Sequence, residues 1–405
     1  MQPATGGLPV LRRIVIVVAV LLVVLPSASW ALTWQIQTVP DTASGLVGGW
    51  ISLALGASGE PYIAYYRGGQ TSDHAVGVAT LSGSTWSVEL AEVNGMGKYA
   101  SIARDAYGYT HVAYYDEVNK DLRYAYRDAT GWHAELVDNG GTGDVGWYTS
   151  IAVDRNGLPR IAYYDFTNKK LKYAYKDSGG VWHTEIADGS SNDVGRYASL
   201  ALDSNGNPHV AYYDATATRV KYARKTTGTW ATFSNVDTSQ YRGQYASLAL
   251  DSSGLPRISY WDSYTQDLRY AAYDGSTWKL QSVDWIGDVG RWTSLQIDAA
   301  GDPHISYYDY TNKDLKYAVW DGTQWLRETV DSAGDVGTYS SLELDAAGNP
   351  HIAYFDAYGL IKYATVADPG GADVPECGTF GLMAVGLAAL VLGVRKERAR
   401  RAGKR

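Results

Sequence analysis

The chain has 405 residues, 35 Lys and Arg against 43 Asp and Glu, a formal net charge of −8, and a single cysteine. An acidic chain has little capacity for phosphate backbones, so nucleic acid is excluded as a partner. One cysteine excludes an internal disulfide framework, so a large core must hold the fold instead.

Taken in chain order, Arg12 and Arg13 come first, followed by the apolar run from Ile14 to Leu25, then Pro26 and Ser-Ala-Ser-Trp-Ala31. A basic start, an apolar stretch and a small-x-small site predict a signal peptide over residues 1–31, cleaved after Ala31. The alternative is a first membrane anchor, for which the apolar run is short.

From there one pattern recurs seven times. It runs Asp-Val-Gly-x-Tyr-x-Ser-Leu, then Asp-x-x-Gly-x-Pro-x-Ile-x-Tyr-Tyr-Asp, then Leu-Lys-Tyr-Ala, then Asp-Gly-x-x-Trp. Its serine falls at Ser52, Ser101, Ser150, Ser199, Ser247, Ser294 and Ser341, at spacings of 49, 49, 49, 48, 47 and 47. A period in this range means a stacked or ring-shaped array. Within the repeat that opens at Tyr197, four short strands are predicted. They are Tyr197 to Asp203, His209 to Asp214, Val220 to Ala223, and a last one opening at Trp230, with turn residues such as Gly206 and Pro208 between them. No amphipathic helix interrupts them, which removes the helical repeat architectures. Small residues crowd the first strand, and Trp86, Trp132, Trp182, Trp230, Trp278 and Trp325 open the fourth. That gradient fits blades radiating from a narrow axis. The second strand is apolar throughout, as expected when both faces of a blade are covered.

The last repeat lacks its Trp strand. Thr33-Trp-Gln-Ile-Gln-Thr-Val39-Pro-Asp41 matches the missing piece when set beside Trp325 to Asp331. The N-terminal strand is therefore predicted to complete the last blade and abolish two open edges. The expected fold class is all-β, a seven-bladed propeller over residues 32–368. This pattern resembles the β-propeller superfold of kelch, WD40 and sialidase-type proteins, without their signature motifs. It has neither a Trp-Asp blade ending nor a Ser-x-Asp-x-Gly-x-x-Trp box.

After the last repeat, residues 369–377 form a linker that ends in Val374, Pro375, Glu376 and Cys377. The apolar run 378–394 follows, and then a basic end, 395–405. Seventeen apolar residues span about 25 Å, a minimal membrane crossing. The basic end is expected on the cytoplasmic side. This tail resembles the PEP-CTERM-like sorting signals read by exosortases and archaeosortases, and Cys377 departs from the usual fourth residue. The resemblance implies a sorting peptidase as partner and cell-surface delivery. A plain C-terminal anchor is the alternative. Without both ends, the remaining chain carries 26 Lys and Arg against 40 Asp and Glu, a net charge near −14.

Binding chemistry is expected on the face where second strands end and first strands begin, here called the top. The Asp-Val-Gly carboxylates Asp144, Asp193, Asp288 and Asp335, preceded by Gly except at Asn192, lie there. So do the strand-ending Asp116, Asp165, Asp214, Asp262, Asp309 and Asp356, with Arg67 in the first blade. Both sets suit capping of backbone N–H groups in the next loop. Asp144, Asp193, Asp288 and Asp335 are also candidates for ligand contact. No cofactor is expected. Ca²⁺ would require six or more converging oxygens, and no EF-hand loop is present. The position before the repeated aromatic varies between blades, giving Lys98, Trp147, Arg196, Gln244 and Arg291 as ligand candidates, joined by Phe166 and Tyr310 from the second loops. The repeated aromatic itself reads as core.

The histidines fall at repeat positions, except His74, and no nucleophile, metal or phosphate motif occurs, so no catalytic residues are assigned. Symmetry is broken only around Arg67 to His74. The function expected is an exported, surface-anchored binding protein that recognises a polysaccharide or an envelope or matrix protein. A polysaccharide lyase or glycoside hydrolase and a structural surface-layer protein are the alternatives.

Overall fold

In the computed structural model, residues 31–41, 49–68, 74–93, 97–233 and 236–366 are described. The segments 1–30 and 367–405, which carry the expected leader, sorting motif and apolar tail, lie outside them. The described chain forms seven four-stranded antiparallel sheets and no helix. A typical blade runs Val194–Leu202, Pro208–Asp214, Arg219–Thr226 and Thr229–Phe233. We number blades 1–7 by the order of their first strands, from Ser52–Leu55 to Val336–Leu344.

Blade 7 is completed by Trp34–Thr38, which pairs antiparallel with Ile361–Val366. The N-terminal strand therefore joins the last blade, as the truncated seventh repeat predicts. Second strands such as Thr110–Asp116, Pro208–Asp214 and Pro303–Asp309 are buried at every residue. They lie between the third and first strands of their own sheet and are covered on both faces by neighbouring blades.

Three sets of contacts fasten blade to blade, the innermost at all seven junctions and, among the described residues, the middle and outer ones at six each: the Tyr114 hydroxyl and the Trp278 indole lack the equivalent partner. Innermost, each repeat serine accepts the backbone N–H of the residue after the next blade's serine. Ser52 accepts from Ile102, Ser101 from Ile151, Ser150 from Leu200, Ser199 from Leu248, Ser247 from Leu295, Ser294 from Leu342, and Ser341 from Leu53, all at 2.9–3.1 Å. The circuit closes on itself.

In the middle layer, a tyrosine on the second strand donates to an aspartate ending the previous blade's fourth strand. The pairs are Tyr65–Asp41, Tyr163–Asp138, Tyr212–Asp188, Tyr260–Asp237, Tyr307–Asp284 and Tyr354–Asp331, at 2.5–2.8 Å. Lys172, Lys221 and Lys316 share the carboxylates of Asp138, Asp188 and Asp284, holding them below the usual carboxylate range against the opposing effect of burial. Outermost, the repeat tryptophan's indole donates to a Glu or Gln of the preceding blade, from Trp34–Glu328 round to Trp325–Gln281.

Candidate functional site

The first strand of most blades begins with a bulge. In blade 3 the register slips between Val145 and Trp147 and again before Ser150. Gly146 sits at φ 101°, and a Cβ there would come within 2.9 Å of the Leu122 backbone in the neighbouring blade, so only glycine fits. Two residues on, Tyr148 takes φ 53°. The same left-handed conformation recurs at Trp50, Tyr99, Tyr197, Tyr245, Trp292 and Tyr339, with φ between 49° and 56°. A bulky residue in this region costs about 1 kcal/mol or more, and its surroundings must hold it there.

The left-handed residues turn all seven rings toward the axis. Successive centroids lie 4.9, 4.8, 4.8, 4.8, 5.1 and 5.0 Å apart from Trp50 to Tyr339, and Tyr339 closes on Trp50 at 5.8 Å. They line a cup of about 210 Å³ with Ile51, Ala100, Thr149, Ala198, Ala246, Thr293 and Ser340. The rings are half-buried, so the repeated aromatic is cup lining rather than the core residue the sequence implies. Burial pushes the phenols of Tyr99, Tyr148, Tyr197 and Tyr245 up, so they stay neutral donors, and neighbouring hydroxyls interact around the rim.

The variable residues form a second tier, each reaching back to the preceding blade. Lys98 pairs with Glu117 at 2.6 Å and lies over Trp50. Trp147 packs against Tyr115, stacks on Phe166 at 4.7 Å and donates its indole to Asp144. Arg196 lies over Tyr164 and pairs with Asp193. Gln244 sits beside the Tyr213 hydroxyl of blade 4. Arg291 lies between Trp261 and Tyr310, 4.6 and 4.0 Å from their centroids, and pairs with Asp288.

The four Asp-Val-Gly carboxylates serve neighbours. Asp193 also accepts the Tyr164 hydroxyl, Asp288 the Trp261 indole, and Asp335 both Tyr308 and Lys313. The strand-ending aspartates cap the following loop. Asp116 accepts the N–H groups of Val118 and Asn119, and Asp214 those of Thr216 and Ala217. Among the described residues no group of three or more His, Cys, Asp or Glu could hold a metal ion.

Around these tiers the loops of blades 3 and 5 to 7 expose large apolar side chains. Phe166, Tyr264, Trp285, Ile286, Tyr310 and Tyr358 are all exposed, Tyr264 at 76% and Tyr358 at 80%. In the irregular first blade, His74 hydrogen-bonds Tyr66, whose ring meets Trp50, and Arg67 is held by Asp41. The repeat histidines 111, 209, 304 and 351 bond Tyr124, Tyr222, Tyr317 and Tyr363 inside their own blades. Sequence reasoning missed the cup. Its signal was there as an aromatic two residues after a glycine in nearly every blade.

No family model matches the chain, and no curated protein matches it. Among solved structures it is similar to virginiamycin B lyase from Staphylococcus aureus, with 9% identity, a TM-score of 0.55, and 83% of this chain and 100% of that chain covered. It is also similar to the polysaccharide lyase Uly1, with 10% identity, a TM-score of 0.54, and 80% and 90% covered. At such identities the likeness is one of fold: this chain is a seven-bladed β-propeller.

Proposed function

We propose that the top face is a recognition surface for a polysaccharide, with the aromatic cup as its centre. The observation that carries this is the closed circle of seven rings, each held at a left-handed backbone. Flat aromatic faces with hydroxyls at the rim offer a sugar both an apolar platform and hydrogen-bonding groups. Lys98, Trp147, Arg196, Gln244 and Arg291, with Phe166, Tyr310 and the carboxylates Asp144, Asp193, Asp288 and Asp335, surround the cup. In this reading they choose among glycans, because they differ from blade to blade while the frame does not. Export and surface anchoring belong to the same proposal and rest on the basic and apolar leader and on the Val374-to-Cys377 tail.

A glycan array probed with the purified protein tests it, followed by calorimetry on any hit. Binding weakened by substitutions at the cup supports the proposal. A hit that is insensitive to Trp147 and Arg196 and maps to the bottom turns refutes it. The same glycans, assayed for new reducing ends or unsaturated products, would show a degrading enzyme instead.

A further inference from the structure

The repeat is broken a second time, at the seam between blades 1 and 2. Six blades carry a tyrosine in the third strand, Tyr124, Tyr173, Tyr222, Tyr270, Tyr317 and Tyr363, each no more than 5% exposed. Each packs steeply against the outer tryptophan of the next blade, with centroids 5.1–5.7 Å apart and interplanar angles of 70–77°. Blade 1 has Val78 at this position. Trp132, the outer tryptophan of blade 2, therefore faces a valine and has no ring partner among the described residues. A cavity of about 410 Å³ opens there, lined by Val78, Trp132, Tyr62 and Arg104 among others. The corresponding spaces where the tyrosine is present are smaller, about 250 Å³ between blades 2 and 3 beside Tyr124 and about 30 Å³ between blades 4 and 5 where Tyr222 meets Trp278.

Arg104 is the second departure. The equivalent residue is aliphatic in every other blade: Leu55, Val153, Leu202, Leu250, Ile297 and Leu344. Its guanidinium lies 3.8 Å from the Tyr62 ring centroid and donates to Thr110 at 2.6 Å. Thr110 itself stands where the other blades have proline. The Arg104 Nε is buried with no hydrogen-bond acceptor, and the side chain has no carboxylate partner among the described residues. The other arginine of the cavity, Arg127, is neutralised by a two-pronged pair with Glu89, which also accepts the Trp132 indole. Tyr107 and Tyr109, both exposed, rim the opening.

We propose that this seam is a second ligand site, separate from the top face, for a small aryl carboxylate. The ligand's ring takes the place of the missing tyrosine, edge-on to Trp132. Its carboxylate meets Arg104, the one arginine there without a counter-charge. An unpaired cation beside a ring-sized gap selects an anionic aromatic over a neutral or cationic one.

The test titrates the full chain with 4-hydroxyphenylacetate by calorimetry and ligand-observed NMR, with 4-ethylphenol as the neutral control. The expected dissociation constant is on the order of 1 mM or tighter for so small a ligand. Preference over the control should be at least about fivefold, through the charged hydrogen bond. Val78→Tyr rebuilds the repeat and should reduce binding at least about tenfold without lowering the melting temperature. Arg104→Leu restores the aliphatic residue and should abolish the preference for the acid while leaving the control unchanged. Should Val78→Tyr fail to fold, the Arg104→Leu comparison decides alone. Absence of binding to the wild-type chain, equal affinity for acid and control, or undiminished binding to folded Val78→Tyr overturns the proposal.

Discussion

Removing residues 33–41 tests what closes the ring. Trp34 packs edge-on against Tyr317 at 5.5 Å and donates its indole to Glu328, both in blade 6. Gln37 accepts the Trp86 indole of blade 1, and Val39 is 3% exposed in the cluster shared by blades 7 and 1. Asp41 accepts the Tyr65 hydroxyl at 2.6 Å and holds Arg67 at 3.1 Å. Truncating a partly buried tryptophan and a buried valine costs about 3 and about 1–2 kcal/mol. Stranding the Tyr65 hydroxyl and the Arg67 charge adds about 1–3 kcal/mol. The total, roughly 5–8 kcal/mol, is comparable with the whole stability of an ordinary domain. The full chain lacking these residues should therefore melt at least about 10 °C lower or be unfolded at room temperature. Circular dichroism reads the transition, and a synthetic peptide of residues 31–41 added in trans should restore part of the loss. A deletion variant with an unchanged melting curve would refute the closure argument.

Other expectations are as direct. Burial pushes the Glu343 carboxyl up to about 8, so the folded protein keeps that proton where the unfolded chain has lost it. Its contribution to stability is full below the ordinary glutamate value and is lost as pH rises through about 8, so Glu343→Gln should flatten the fall in melting temperature across that window. Burial depresses His111, His209, His304 and His351, and their contribution runs the other way, present above the ordinary histidine value and lost as pH falls through the folded ones. Ser199→Ala strands the Leu248 N–H and should cost about 1–3 kcal/mol in denaturant unfolding. Trp147→Ala with Arg196→Ala should weaken a glycan ligand by about 1–3 kcal/mol per anchor with little change in melting. Under the proposed sorting and anchoring, mass spectrometry of the mature protein should find a terminus near Glu376 or Cys377; an intact Arg405 end would make the tail an ordinary anchor.

The ring was legible because its information is repeated. Seven serines, seven outer tryptophans and one displaced strand are enough to count blades and close the circle. The strand-ending aspartates were legible too, since capping the next loop is a local act within three residues. The cup was not. Whether Tyr148 points into its own blade or at the axis depends on a bulge two residues earlier, and a bulge leaves no mark on hydrophobic periodicity. The partners of Asp193 and Asp288 were hidden for another reason: Tyr164 and Trp261 come from the preceding blade, and no spacing rule joins them. Val78 and Arg104 were visible as exceptions to the repeat, but their meeting across a seam is a fact of three dimensions.

The serine circuit makes the seven blades interchangeable at their inner edge. Each gives one backbone N–H to the blade before it and takes one from the blade after it on its serine Oγ. Such a fastening does not record which blade stands next. A copied, shuffled or recombined blade would meet the same fastening at the hub, provided that the count stays at seven. Loops at the mouth and at the seams can then drift without loosening the hub, and a gene built this way can try new surfaces one module at a time.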